Sequence, residues 1–396
     1  MGKMPLANAL PLVKDPNPAK YPLSLWYCPW CFLVQIKENV DPNVLFKDYL
    51  YFSSQSETMI ESSKKLVHNI IDSYYWGNGS KLVMEAASND GYLLQHYVKE
   101  GIPVIGVDPA ENIAQIANDK GIYTIPKFFT YQFAQDYRGA VDVFHANNVL
   151  AHVADQNNFV NGIAVVLKHS GVAYIEVPYL GKMIEGGYFD QIYHEHLCYF
   201  SLSSLNELFI RQGLDIIDAD IIPIHGGSLR IAVCHRGAYN KKAKVGIMLA
   251  SEAFARKPSY YSTFGERVNR QGMEFWRAME MLRKHHGYGL TIDGYGAAAK
   301  GNQFLNYFKV DQKIITQVYD STPAKQGRFM SNGQIPIVDP NRLEIHKADY
   351  VLILAWNFAD EIMNKHKTYL MERAFITAYP EFKFWSNKYP RGTIWD

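Results

Sequence analysis

Tyr193-His194-Glu195-His196 brings two imidazoles, a carboxylate and a phenol into one short stretch flanked by aromatics. In an extended chain His194 and His196 would share one face and Glu195 the other, whereas in a helical turn Tyr193 and His196 would share a face. An imidazole oriented by a phenol or a carboxylate suits removal of a proton beside a carbonyl. The plainer readings are loop histidines bonded to the backbone, or a metal held by His194, His196 and Cys198. No second ligand pair of matching kind follows to support the metal.

A second group is Val83-Met-Glu-Ala-Ala-Ser-Asn-Asp-Gly91, followed by Gly106-Val-Asp108-Pro and Asn147-Asn148. Each sits where a strand should end, and open α/β sheets bind ligands at the carboxyl ends of their strands. Glu85 or Asp90 can face the ammonium or sulfonium charge of S-adenosylmethionine. Asp108 can accept ribose hydroxyls, and Gly91 allows close backbone approach. Ser88, Asn89, Asn147 and Asn148 complete a polar rim. Alone, Asn89-Asp90-Gly91 would read as a turn. The repeated glycines of a dinucleotide fingerprint are missing here, which favours a cofactor without pyrophosphate.

Two glycine turns could cradle phosphate. In His225-Gly226-Gly227-Ser-Leu-Arg230 the glycines expose amides before a strand, and Arg230 can pair bidentately with phosphate. The competing reading is a tight turn. Gly294-Tyr-Gly296-Ala-Ala-Ala-Lys300-Gly301 has the form Gly-x-Gly-x-x-Ala, with Asp320 ending the next strand. Lys300, Lys325 and Arg328 add cations, so a nicotinamide cofactor or a nucleoside-diphosphate sugar would both suit it. Cys28-Pro-Trp-Cys31 is half of a zinc site, and reads as an unmetallated turn or an incomplete knuckle.

The elements that must position these groups alternate. Lys81 to Ala87, Pro103 to Val107, Val141 to Ala146 and Gly171 to Val177 read as strands separated by helices, the pattern of a mainly parallel sheet. Pro178 to Phe200 shows no sustained period, and Ser201 or Ser203 caps a following helix. Leu214 to Asp220 and Ser228 to Cys234 read as an antiparallel pair extending the sheet. A helical connector, Lys241 to His286, leads to a second α/β unit with strands Tyr288 to Asp293, Lys313 to Tyr319 and Tyr350 to Ala355. Three regions follow: 1–75, 76–240 and 241–396.

Of 396 residues, 40 are basic and 39 acidic, a formal charge of +1 that gives no bulk attraction for nucleic acid or anionic membrane. Cys28, Cys31, Cys198 and Cys234 are too few for a disulfide scaffold and fit a reducing, cytoplasmic setting. No apolar run is long enough to span a bilayer.

Taken in order, Pro5-Leu-Ala-Asn8, Cys28-x-x-Cys31, Asp48-Tyr-Leu-Tyr-Phe-Ser-Ser54, Ser88-Asn-Asp-Gly91, Asn147-Asn148-Val149, Tyr193-His-Glu-His196, His225-Gly-Gly-Ser-Leu-Arg230 and Gly294 to Gly301 resemble the sugar C-methyltransferases over nearly the whole chain. The resemblance implies an α/β protein with three parts: a small zinc-knuckle-like N-terminal domain, a class I methyltransferase Rossmann-like middle domain binding S-adenosylmethionine, and a second Rossmann-like C-terminal domain. It implies methylation at C3 of a nucleoside-diphosphate-linked 4-keto-6-deoxy sugar. His196 would be the base, assisted by Tyr193 and Glu195, with Tyr49 or Tyr51 reaching the site. The family usually has a second CxxC pair just upstream of Pro5, and here only Cys28 and Cys31 stand. Ala86-Ala87 also replaces the usual glycine of the cofactor loop. Two rivals are an NAD-dependent sugar oxidoreductase using the Gly294 loop, and a catalytically silent binding protein of methyltransferase fold.

Overall fold

The computed structural model of the protein describes residues 1–37, 40–41, 53–73, 81–287, 289–378 and 381–386. Strands β1 (Gly2–Met4) and β2 (Tyr21–Leu23) pair antiparallel. Strands β3 (Leu25–Tyr27) and β4 (Val34–Ile36) form a hairpin around the Cys28–Cys31 turn.

The middle region contains β5 (Val83–Ala86), β6 (Val104–Val107), β7 (Thr124–Ile125), β8 (Val141–Asn147), β9 (Leu167–Pro178), β10 (Cys198–Tyr199), β11 (Leu214–Ile222) and β12 (Ser228–His235). Among the described residues, one sheet runs β11-β12-β9-β8-β5-β6-β7. Its β5, β6, β7, β8 and β9 are parallel, while β12 lies antiparallel between β9 and β11. This is the class I methyltransferase arrangement. Val83, Met84, Glu85 and Ala86 are all buried, as a parallel strand covered on both faces requires. The hairpin β11–β12 extends the sheet as its alternation predicts. Ser201 caps helix Leu202–Arg211, accepting from the Ser204 amide while Ser204 Oγ accepts from the Ser201 amide.

A second sheet runs β15 (Ile337–Val338), β14 (Val318–Tyr319), β13 (Ile292–Tyr295), β16 (Tyr350–Ile353), β17 (Ala374–Thr377), β18 (Lys383–Trp385), parallel except for β18. The expected strand Lys313 to Tyr319 shortens to β14. Helix Pro258–His286 connects the two sheets; it starts with proline and stops at Gly287, whose φ is 69°.

The segment Pro178 to Phe200, read as irregular, holds helix Leu180–Gly186, a 3-10 turn Phe189–Gln191 and β10. Tertiary burial fixes it: Leu180, Met183, Ile184, Phe189, Ile192 and Tyr199 belong to the same apolar core as Phe275, Leu305 and Ile315 of the C-terminal region. Met4, Leu10, Val34 and Ile36 join that core from the N-terminal region. Strand β10 pairs with β4, so the stretch bearing Tyr193 to His196 is stitched to both neighbours.

Candidate active site

At the carboxyl end of β5 the chain turns through Ala87 and Asn89, with φ of 54° and 49°, and Gly91, with φ of 80°. A Cβ on Gly91 would collide with the Ile122 side chain, and one on Gly106 would lie 2.5 Å from Ser88 Oγ. Asp108, at the end of β6, holds this loop: its Oδ2 accepts from the Asn89 amide and its Oδ1 from the Ala110 amide, both at 2.9 Å. Its two oxygens therefore already carry one amide hydrogen each. Burial raises its pKa, opposed by those amides. Asp90 accepts from Ser54 Oγ and from Lys120 Nζ at 3.1 Å, and the Ser53 amide donates to Asn89 Oδ1 at 2.9 Å.

Glu85 Oε2, Ser88 Oγ, Asp90 Oδ1, Asn147 Oδ1 and Asn148 Oδ1 are buried with no hydrogen-bond partner among the described residues. The Asn147 and Asn148 amide oxygens can only accept, a carboxyl oxygen only accepts while ionised, and a carboxyl held in its neutral form can also donate. Burial, then the charges of Asp108 and Asp90, push Glu85 well above the usual carboxylate range. A group rich in N–H and O–H donors and carrying positive charge answers such a set, and S-adenosylmethionine is one. The rim thus fits the cofactor, and Glu85, Ser88, Asn89, Asp90, Asp108, Asn147 and Asn148 are the residues that could hold it.

Arg230 departs from expectation. Instead of facing phosphate, it stands directly across from Glu176 in the β12–β9 register, and its Nε and Nη2 donate to Glu176 Oε2 at 3.1 and 2.9 Å. Glu176 is 2% exposed, and a carboxylate so buried needs the guanidinium as its counter-charge. The Glu176 carbonyl in turn accepts from the Asn148 amide at 2.7 Å, which shapes the end of β8.

His196 and Tyr193 meet as the helical-turn reading requires. The His196 amide reaches Tyr193 O at 2.9 Å, and Tyr193 Oη lies 2.7 Å from His196 Nε2. His196 Nδ1 lies 2.8 Å from Gln191 O. A carbonyl can only accept, so Nδ1 carries the proton and Nε2 presents its lone pair. Burial holds the imidazole well below its ordinary pKa, hence neutral at pH 7. His152, which the sequence reading missed, stands edge-on with ring centroids 4.8 Å away, itself lowered by burial to about 4. His194 points elsewhere, its Nε2 3.0 Å from Pro22 O. Glu195 accepts from Asn8 Nδ2 at 2.7 Å, and burial raises it to about 7.

The glycine turns are occupied largely by packing. His225, Gly226 and Gly227 have φ of 54°, 86° and 119°. A Cβ on Gly226 would strike the Trp356 ring, and one on Gly227 would fall 2.8 Å from Lys182 Cγ. Lys300 Nζ donates to His225 O at 3.3 Å and lies 5.1 Å from the Trp356 ring centroid. Trp356 Nε1 donates to Asp190 Oδ2 at 2.6 Å. Burial lowers Lys300 to about 8 and raises Asp190 to about 6, each moderated by the other's charge. Asp190 and Trp356 had no sequence signal beyond their neighbourhood.

In the Gly294 loop, a Cβ on Gly296 would approach Ala355 Cβ at 2.6 Å, and one on Gly301 would approach Leu354 Cβ at 2.7 Å. Asp320 accepts from the Ala297 and Thr322 amides, both at 2.8 Å, and Lys325 Nζ lies 3.5 Å from it. Lys325 also donates to Ala297 O at 3.1 Å. Arg328 donates to Ala324 O and Leu10 O at 3.0 and 3.1 Å. Of the cations assigned to this loop, Lys325 and Arg328 are thus engaged in holding backbone. Tyr49 and Tyr51 lie outside the described residues.

Cys28 and Cys31 form a tight turn in which the Phe32 amide donates to Cys28 O at 2.9 Å. No third His, Cys, Asp or Glu joins them among the described residues, nor do His194, His196 and Cys198 form a metal group. Two thiolates do not close a tetrahedral zinc site. The described residues alone do not complete a site for the metal, and no chemistry is assigned to one.

The fold and this rim define an S-adenosylmethionine-dependent methyltransferase. Residues 1–46 match the model of a domain family proposed to bind zinc, residues 62–219 match a methyltransferase domain, and residues 223–380 match a C-methyltransferase C-terminal domain. C-methyltransferase NovU of Streptomyces niveus is 34% identical over 392 residues, covering 96% of this chain and 92% of that protein. The chain belongs to the C-methyltransferase family. Solved structures similar to it include 1,6-didemethyltoxoflavin-N1-methyltransferase of Burkholderia thailandensis, at 15% identity, 51% of this chain, 94% of that chain and a TM-score of 0.38. Another is a chain of the complex between the Haloferax volcanii Trm112 methyltransferase activator and a methyltransferase, at 15% identity, 46% of this chain, 94% of that chain and a TM-score of 0.38. The oxidoreductase and silent-protein alternatives give way to this assignment. No described helix is long and apolar enough to cross a membrane.

Proposed function

We propose that this C-methyltransferase acts on C3 of a nucleoside-diphosphate-linked 4-keto-6-deoxy sugar, with His196 as the base. The observation that carries the reading is the His196 imidazole, buried, neutral and held with Nε2 toward a phenol. A C–H beside a ketone is acidic enough for an imidazole to remove when the enolate oxygen is stabilised. The C3 proton moves to His196 Nε2, and the electron pair of that C–H bond passes into the enolate, whose charge rests on the C4 oxygen. Tyr193 yields the lone pair it occupies and becomes a hydroxyl donor for that oxygen. The amine of Lys300, beside His225 and Trp356, supplies positive charge on the C-terminal side, where the nucleotide diphosphate is expected to lie near the Gly294 loop. S-adenosylmethionine, when bound, supplies the electrophilic methyl group. Holding both reactants in one site provides much of the acceleration.

The test is a panel of nucleoside-diphosphate 4-keto-6-deoxy sugars in deuterated water with S-adenosylhomocysteine. Deuterium should enter C3 with the unaltered enzyme and not with His196→Asn. Methyl transfer from S-adenosylmethionine to another position, or to none of the panel, would refute the substrate assignment.

A further inference from the structure

Asn8 lies far from the catalytic stretch in sequence but not in space. Its Nδ2 donates to Glu195 Oε2 at 2.7 Å, and among the described residues no other side chain hydrogen-bonds that carboxyl. Three contacts from the C-terminal region fix the chain that bears Asn8. Asn302 Nδ2 donates to Ala7 O at 2.8 Å, Arg328 Nη1 donates to Leu10 O at 3.1 Å, and the Phe329 amide donates to Pro11 O at 2.9 Å. Asn302 is itself immobilised, since its Oδ1 accepts from the Ser331 amide at 2.8 Å. Leu6, Ala7 and Leu10 are buried around Asn8. One edge of the active site is therefore built by the N-terminal region and clamped by the C-terminal one.

We infer that Asn8 is a positioning residue of the methyltransferase, delivered by the N-terminal region to orient the Glu195 carboxyl, with Asn302 and Arg328 fixing its place. A carboxamide N–H bonded to a carboxyl oxygen favours the ionised form, and burial favours the neutral one. Asn8 accordingly keeps Glu195 titrating near neutrality instead of leaving it locked as the acid. The titratable groups beside it are Tyr193, His194 and His196 on its own segment and His152, on the turn after β8, which bonds the Glu195 backbone. None makes an ion pair with Glu195 among the described residues. The inference also gives the N-terminal region a role that needs no metal.

The experiment reads the carboxyl directly, so it does not depend on the substrate proposed above. The full-length protein with S-adenosylhomocysteine is titrated by isotope-edited infrared spectroscopy, and Glu195→Gln assigns the band of the protonated acid. The midpoint should lie near neutrality in the unaltered protein and rise by at least about one pH unit in Asn8→Ala, as loss of one hydrogen bond to a charged acceptor implies. Asn8→Ser, which keeps a donor, should fall between. An unchanged midpoint in folded Asn8→Ala overturns the inference. If Asn8→Ala does not fold, Asn302→Ala with the segment loosened provides the same readout, and an unchanged midpoint there has the same force. With an active substrate, Asn8→Ala should shift the pH profile of kcat/KM in the unaltered background but not in Glu195→Gln. An equal loss in both backgrounds would reduce Asn8 to a packing residue. Failure of every sugar in the panel would leave the infrared result standing and count only against the substrate assignment.

Discussion

The molecule carries two mainly parallel sheets of similar plan, each with an acidic residue ending its second strand, and the two acids hold alike turns in unlike surroundings. In the middle region Asp108 holds the turn after β5, and around that turn Glu85, Ser88, Asp90, Asn147 and Asn148 keep buried polar atoms with no partner among the described residues. In the C-terminal region Asp320 holds the Gly294 loop in the same way, but Lys325 neutralises it and the neighbouring glycines are required by Ala355 and Leu354. The first loop is left with polar atoms unmet by the described residues; the second has its acid and its nearest buried cation satisfied internally. A glycine-rich turn followed by an acid is thus a geometry of the strand–turn–helix junction, and the neighbouring groups decide what such a turn can hold: unmatched acceptors around the turn after β5, the Lys300 amine beside the Gly294 loop.

The largest effect expected to test this contrast lies beside the first sheet. His196→Asn should reduce methyl transfer by about 10²–10⁴-fold, the range of general base catalysis, while calorimetry finds S-adenosylmethionine affinity preserved. A saturated variant that turns over at the unaltered rate would remove His196 from the chemistry.

Next comes the seam between the regions. Glu195 titrates near 7 when folded against an ordinary value of 4.5. Between those values the folded chain binds more protons than the unfolded one. The stabilisation is therefore complete below about pH 4.5 and is lost as pH rises through about 7. Glu195→Gln stays neutral and can still accept from Asn8. It should match the unaltered protein near pH 4.5 and exceed its stability at pH 8, by at most about 3 kcal/mol. Denaturant melts at the two pH values decide it; a difference that does not change with pH would rule out Glu195 as the titrating group.

The smallest effect is a matched pair. Asp108→Ala should weaken S-adenosylmethionine binding by about 1.5–3 kcal/mol, the worth of hydrogen bonds to a charged group, when measured by calorimetry. Asp320→Ala should leave that affinity within about twofold and instead lower the unfolding midpoint, because the Ala297 and Thr322 amides and Lys325 lose their partner. Equal losses of cofactor affinity in both variants would erase the distinction between the two sheets.

Much of this was legible beforehand because it depends on local pattern. The helix capped by Ser201, the hairpin β11–β12 and the polar ends of β5, β6 and β8 follow from periodicity and short-range chemistry. Tyr193 and His196 could be paired in advance only conditionally, since an extended chain would have separated them. Their turn is set by the burial of Phe189, Ile192 and Tyr199 against the C-terminal core. His152, Asp190 and Trp356 carry no motif and join the site through contacts remote in sequence.

By itself the sequence determined most central strands of the two sheets, the helices between them and the residue types able to bind a cationic cofactor and remove a proton. These depend on side chains close together along the chain, where spacing alone fixes which face each one takes. The tertiary structure decided which charged groups remain available for a ligand. Arg230 goes to Glu176, Asp320 to Ala297 and Thr322, Arg328 to Leu10, and Asn8 to Glu195. A buried charge or amide is captured by the nearest partner that relieves its desolvation, and which partner is nearest is settled only when distant segments pack together.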